Sequence, residues 1–197
     1  MVIIKESIEI NCSPGVLWNF LIHLDHEQAF QKWHPKDHIR LLQLNGNMEE
    51  PGTVVYFEEY LGKSRMRLVC KVVKVRKHEY IEFKPLFPIS LLQFGKGQFL
   101  IETRGAGCLF TIAVEYGYKI DLVGPLSKWL IESYVVKERD IRQHTKEELI
   151  ILKEFLERRP FSKPQGSMTE QAEKLRRLTA STKLKNGLRR VVHRALS

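Results

Sequence analysis

The chain has 197 residues, 43% of them hydrophobic and 28% charged, a composition that fits one domain with a sizeable core plus a short appendage. No run reaches the eighteen or so apolar residues of a membrane-spanning helix. The start, "MVIIKESIEI", lacks the basic lead, apolar block and small-residue cleavage site of a secretory signal, so a cytoplasmic protein is expected.

The net charge of +9 is unevenly placed: residues 160 to 197 carry +7 and the first 159 carry +2. The high isoelectric point therefore belongs to a tail. The body has no basic strip with interleaved aromatics, and nucleic-acid binding is not expected of it.

Residues 3 to 10, "IIKESIEI", alternate at period two and predict a strand. In "NCSPGVLWNFLIHLD", Ser13 suits a helix cap and Pro14 a first helical position. Val16, Leu17, Phe20 and Leu24 then mark a short amphipathic helix. "HEQAFQKWHPKDH" predicts a second helical piece, broken at Pro35. From Ile39 to Lys119 strands and turns alternate. "HIRLLQL" stops at "NGN", "TVVYFEEYL" stops at "GK", and "SRMRLVCKVVKVRK" and "YIEFKPL" come next. "RGAG" between "GQFLIET" and "CLFTIAVEYGYKI" is a hairpin signal. "GPL" then opens a long helix from about Leu126 to Arg158, roughly 50 Å at 1.5 Å per residue.

The predicted order is one strand, two short helices, about six antiparallel strands and one long helix. Sheet and helix each have one face to bury, so the helix should lie across the concave side of the sheet. An α+β domain over residues 1 to 159 with an internal pocket is the expectation. "RRPFSKPQGS" reads as a linker. The basic segment after it has a thin apolar side of Leu175, Leu178, Leu188, Val191 and Val192. Two readings stay open for that segment: a solvated tail, or an attachment to an anionic membrane or a protein partner. Cys12, Cys70 and Cys108 are widely spaced, with no CxxC pattern, and read as buried free thiols. A homodimer is left open.

The long helix carries an anomaly. In "RDIRQHTKEELIILKEFLERR" the inner stripe of Ile141, Ile151, Leu152 and Phe155 also takes in His144 and Glu148. Residues four apart share one helix face. An imidazole and a carboxylate at that spacing suit one divalent ion, and an unpaired buried carboxylate would cost several kcal/mol. The plainer reading is a surface pair worth a few tenths of a kcal/mol.

Two further stretches add donors. "WHPKDH" brings His34, Asp37 and His38 into one turn. In "VVYFEEYL" alternation places Val55, Phe57, Glu59 and Leu61 on the more apolar face and Tyr56 and Glu58 on the other. A one-residue bulge would exchange Glu58 and Glu59. Two histidines and two carboxylates suit zinc or a neighbouring divalent ion. Alternatively, His34 caps the turn at Pro35 and Glu59 pairs with Arg65 or Arg67.

The order of elements, with "CSPGVLWNFL" near the start and "GPL" before the last helix, resembles the START-like, Bet v 1-like helix-grip superfamily that includes the polyketide cyclases (SRPBCC). More narrowly, "WHPKDH", "GTVVYFEEYLG", "IEFKPLFP" and "HTKEELIILKEFLE" resemble the zinc-dependent 2,4-diacetylphloroglucinol hydrolase and phloretin hydrolase family. The resemblance covers about residues 5 to 158. It implies a zinc held by His144 and Glu148 on the helix, by Glu59 (or Glu58) on a strand, and by His38 (or His34) before the sheet. Asp37 would orient an imidazole. Family members carry extra N-terminal structure, whereas the first strand of the domain lies almost at the start of this sequence.

The implied activity is hydrolysis of a carbon–carbon bond next to a carbonyl in an acylphenol or β-dicarbonyl-like molecule. Glu58, Asp37 or a tyrosine such as Tyr56 are candidates for moving the proton. Trp33, Phe57, Phe99, Phe110 and Tyr134 are candidates for an aromatic substrate pocket. Two other functions fit the same pattern: a non-enzymatic carrier of a lipid or polyketide-like ligand, and a metal-free cyclase using His and carboxylate as base and acid.

Overall fold

The computed structural model describes residues 1–26, 28–86, 94–117, 129 and 137–158. The elements are β1 (Val2–Ile10), α1 (Pro14–Ile22), α2 (Ala29–Trp33), β2 (His38–Asn45), β3 (Val54–Leu61), β4 (Ser64–Arg76), β5 (Tyr80–Pro85), β6 (Phe94–Arg104), β7 (Gly107–Tyr116) and α3 (Glu138–Arg158). All seven strands form one antiparallel sheet in the order β1-β7-β6-β5-β4-β3-β2. Strands β2 to β7 thus pair in sequence, and β1 returns to the far edge beside β7. This is the α+β helix-grip architecture, with one face of the sheet turned to the helices.

Local chemistry sets the elements. The Ser13 hydroxyl accepts from the Val16 N–H at 3.4 Å, and Pro14 opens α1, where its missing N–H is no loss. That helix buries Leu17, Trp18, Phe20 and Leu21. The β6–β7 hairpin turns at Gly105 with φ +56°, a conformation glycine adopts without strain.

Helix α3 differs from its sequence reading at the start. Lys137 is not helical, and its carbonyl accepts the first N–H groups of the helix, from Asp140 and Ile141. Over Glu138–Arg158 the helix has 21 residues, about 31 Å at the α-helical rise, not 50 Å. Its deepest apolar residues are Ile141, Leu149, Leu152 and Leu156. Ile151 and Phe155 lie half-buried beside that stripe. Residues 118–128 and 130–136, with Tyr134, lie outside the described residues, as do the tail from 159 onward and its apolar positions. Among the described residues no helix is long and apolar enough to cross a membrane.

Helix α3 packs on β1 and also reaches β3, β7 and α2. The main core gathers between sheet and helices around Trp18, Phe20, Phe30, Trp33, Val55 and Phe110. At the α2 side, polar groups interrupt this core.

Candidate metal centre

Three elements deliver four donors to one point. β2 and β3 pair with His38 opposite Glu59, so both side chains project from the same sheet face. The register then slips between His38 and Arg40. This bulge lets His38 point inward while Arg40 faces Glu58 on the other side. Glu59 follows the pleat of β3 with Phe57 and Leu61. His144 and Glu148 come from one face of α3. The ligand atoms of His38, Glu59, His144 and Glu148 all lie within 4.8 Å of one another.

Each imidazole is held from behind. His38 Nδ1 donates to the Phe30 carbonyl at 2.8 Å, and a carbonyl only accepts, so this nitrogen carries hydrogen. The Phe30 ring stacks on the His38 ring at 3.8 Å and 4°. His144 Nδ1 donates to Asp37 Oδ2 at 3.3 Å. Both Nε2 atoms therefore face the carboxylates. His38 Nε2 lies 2.9 Å from Glu148 Oε1 and 3.5 Å from Glu59 Oε2. His144 Nε2 lies 3.7 Å from each of the same two oxygens and, though buried, has no hydrogen-bond partner. The Trp33 Nε1–H donates to the Glu148 carbonyl at 2.9 Å and pins that turn of α3 to α2.

These distances can be set against the geometry of an ion. A tetrahedral zinc with bonds of about 2.0–2.1 Å separates its ligand atoms by roughly 3.4 Å. The four observed separations, 2.9, 3.5, 3.7 and 3.7 Å, bracket that value. Back-donation from Nδ1 to a carbonyl and to a carboxylate is how metal-binding imidazoles are usually oriented. The donor set therefore fits a borderline divalent cation.

The electrostatics of the metal-free cluster agree. Burial alone would lower the His144 pKa. Attraction to Glu59, Glu148 and Asp37 outweighs it and raises the value to about 9. Burial alone would raise Glu59, and the imidazoles of His144, His38 and His34 hold it below the usual carboxylate range. Two carboxylates facing two imidazoles thus call for positive charge between them.

His34 stands next to this cluster, 1% exposed. Its Nδ1 accepts from the Asp37 backbone N–H at 3.2 Å, so it caps its own turn. Its Nε2 faces Glu147 Oε2 at 3.6 Å. Burial and the imidazoles of His144 and His38 push its pKa down. His34, Asp37 and His144 form a second group whose ligand atoms approach within 4.8 Å, but His34 is not part of the four-donor set.

Two candidates for proton transfer sit elsewhere. Glu58 and Tyr56 occupy the opposite face of β3 from Phe57 and Glu59, away from the cavity. Glu58 Oε1 accepts from Arg65 Nε and Nη2 at 3.0 and 2.6 Å and from Arg67 Nε at 2.9 Å. Burial alone would raise its pKa, and the two guanidinium groups hold it below the usual range. The arginines offered as partners for Glu59 belong to Glu58. Asp37, held to the His144 ring, is the only one of the three at the cluster.

A cavity of about 140 Å³ opens beside the cluster. Trp33, Phe57, Phe83, Phe99 and Ile112 form apolar wall, and Glu59, His144, Thr145 and Glu148 form a polar end. Phe110 is instead packed in the core behind Phe99, with ring centres 5.8 Å apart. Phe30 and Thr145 were not singled out from the sequence. An aromatic in "AFQKW" and a threonine on a helix stripe carry no chemical signal until the fold puts them beside an imidazole.

No family model and no curated protein matches this chain. Solved structures match it across most of its length. The KanY protein (14% identity, 79% of this chain and 97% of that one) has a TM-score of 0.58. The Zhui aromatase/cyclase from Streptomyces sp. R1128 (14%, 82% and 96%) has a TM-score of 0.56. Ara h 8.0201 (13%, 80% and 99%) has a TM-score of 0.54. At these identities the likeness establishes the Bet v 1/START-like fold and leaves activity to the site itself.

Proposed function

We propose that this chain binds a single-ring apolar carbonyl compound in its cavity and acts on that carbonyl at a divalent metal ion, zinc being the expected one. The observation that carries the reading is the convergence of His38, Glu59, His144 and Glu148, with both Nε2 atoms aimed at two carboxylates, on the wall of an apolar cavity. Its volume, about 140 Å³, is close to the roughly 150 Å³ of a dry cavity that admits benzene. The finer reading, carried by the sequence resemblance, is hydrolysis of the carbon–carbon bond between an aromatic ring and its acyl group.

The four residues would hold the metal through His38 Nε2, His144 Nε2, Glu59 Oε2 and Glu148 Oε1. A metal in such a set polarises a carbonyl oxygen and lowers the pKa of a water. The protein supplies the rest. Trp33, Phe57 and Phe99 take the ring and exclude bulk water from it. Phe30 and Asp37 keep the two imidazoles in their donor orientation. Asp37 holds the His144 Nδ1–H, which leaves Nε2 free for the metal. A structural zinc would also take four protein ligands. Placement of Glu59, His144 and Glu148 on a cavity wall, rather than in packed interior, favours chemistry.

One observation favours a second reading. A His144 that stays protonated at neutral pH between two carboxylates is a ready acid without any metal, so the cavity would then serve a binder or a cyclase-like enzyme. One experiment separates the two. The chain is purified without added metal, analysed for metal content, stripped with a chelator, and offered a monocyclic acylphenol before and after zinc is restored. About one metal per chain, with acyl loss only when metal is present, supports the first reading. A chain that is metal-free as isolated, fails to take zinc on dialysis and still binds or converts the compound overturns it in favour of the second.

A further inference from the structure

Away from the cavity, two of the three cysteines meet. β1 ends at Ile10, which pairs with Cys108 on β7, and the chain then turns through Asn11 and Cys12 into α1. Gly107 permits this close approach, since a Cβ there would lie 2.5 Å from the Ile10 carbonyl oxygen. Cys12 thus lies two residues from the Ile10–Cys108 pair and packs against the core cluster that holds Cys108. Their surroundings differ. Cys12 is half-buried, directly before the cap of α1, and Cys108 is buried. The contact with Cys108 lowers the Cys12 pKa, and against the opposing effect of burial the Leu17 N–H adds to that lowering. Contact with Cys12 and burial push Cys108 up. An accessible sulfur with thiolate character beside a shielded thiol is the arrangement in which one sulfur attacks and the other resolves. The third cysteine, Cys70, is buried in β4 and burial raises its pKa to about 12, so it is inert.

We infer that Cys12 and Cys108 form a redox-active dithiol that closes to an internal disulfide by exchange with a low-molecular-weight disulfide. The Cys12 thiolate attacks one sulfur of that disulfide, forming a mixed disulfide and releasing one thiolate. Cys108 loses its proton and attacks the Cys12 sulfur, releasing the second. Two cysteine thiols are oxidised by two electrons, and one small disulfide is reduced to two thiols. The bond would staple a turn that already anchors α3, where the Asn11 N–H donates to Glu157 Oε1 at 2.8 Å and Lys153 Nζ to the Glu9 carbonyl at 2.6 Å. It would also close a long loop, which restricts the unfolded chain and raises the melting temperature.

The test uses the full chain, reduced and then incubated with glutathione disulfide, quenched with N-ethylmaleimide in denaturant and mapped by mass spectrometry. The expected product has one alkylated cysteine, Cys70, and a cross-linked peptide pair joining Cys12 to Cys108. In Cys108→Ser the glutathione adduct remains on Cys12. In Cys12→Ser, Cys108 stays reduced. The parent chain decides the matter by itself if a variant fails to fold. Three alkylated cysteines, or glutathione retained on Cys12 with no internal bond, would overturn the inference.

Discussion

Proton–metal exchange at His144 gives a quantitative test of the centre. The folded, metal-free chain holds this imidazole protonated up to about pH 9, whereas an ordinary histidine titrates near 6.5. A metal needs the bare Nε2, so binding must displace the proton. With a pKa of about 9, the fraction of chains ready to bind rises about 75-fold between pH 6.5 and 8.5, or ~2.6 kcal/mol. Competition against a chelator of known affinity at each pH measures this directly, and titration calorimetry in two buffers counts the released proton. Affinity that stays within threefold across the range would refute the argument. The same shift sets the stability of the metal-free fold. The folded pKa lies above the unfolded one, so the contribution is complete below about pH 6.5 and disappears as pH rises through about 9. Its upper bound is about 3.4 kcal/mol, and the melting temperature of the stripped protein should fall over that window.

Asp37→Asn keeps the shape but weakens the hold on His144 Nδ1, and zinc affinity measured by chelator competition should drop about 10- to 100-fold. Glu58→Gln removes a carboxylate that accepts from two arginines which are 45% and 53% exposed; solvent screening limits the cost to about 1–2 kcal/mol in urea unfolding, with zinc affinity unchanged. Gly97→Leu pushes four carbons into the cavity that Gly97 lines, where a Cβ would meet only the Phe83 ring at 4.0 Å; quenching of Trp33 fluorescence by a monocyclic ligand should weaken at least tenfold while zinc still binds. In the stripped protein His38→Leu leaves Glu59 and Glu148 facing one imidazole and should cost about 3–5 kcal/mol, and adding Glu148→Leu should restore much of it, because a complete buried ion set can be replaced by apolar groups more cheaply than half of one. Additive losses in that cycle would show that the pair does not interact.

Periodicity carried much of this architecture. Alternation in β3 put Glu59 with Phe57 and Leu61 on the inner face, and it is there. The three- and four-residue spacing of α3 put His144 and Glu148 on its buried side, although the deepest apolar stripe runs through Leu149 and Leu156 rather than Ile151 and Phe155. Local pattern ran out where several residues share one turn. His34 and His38 are both buried, and what separates them is the bulge after His38 and the carbonyl of Phe30, neither of which is written in "WHPKDH". The helix start shows the same limit: the reading runs one helix from Leu126 to Arg158, but Lys137 is not helical, and no glycine or proline in "VVKERD" marks that break. Tyr56 and Glu58 were candidates on residue type alone. The pleat places them on the outer face, and Arg65 and Arg67, opposite Tyr60 and Glu58 in the register, claim the carboxylate there.

The charge of the cluster explains why such a costly group belongs in this interior. Glu59 and Glu148 bring two negative charges to a place that is nearly closed to water, where an unpaired carboxylate costs several kcal/mol. Neutrality is reached in two ways: by two extra protons on the facing imidazoles, or by one dication. The first leaves the 3.7 Å contacts at His144 Nε2 longer than hydrogen bonds and the nitrogen without a partner. The second turns the same four atoms into ligands at separations they already have. A cluster held by its own charges alone would gain from shorter contacts at this nitrogen. The cluster instead sits loosely around a centre of the right size for an ion, with Phe30, Trp33 and Asp37 holding its parts from outside. On the proposed reading, the apolar wall beside it would bring an uncharged ring up to that centre without competing for the charge.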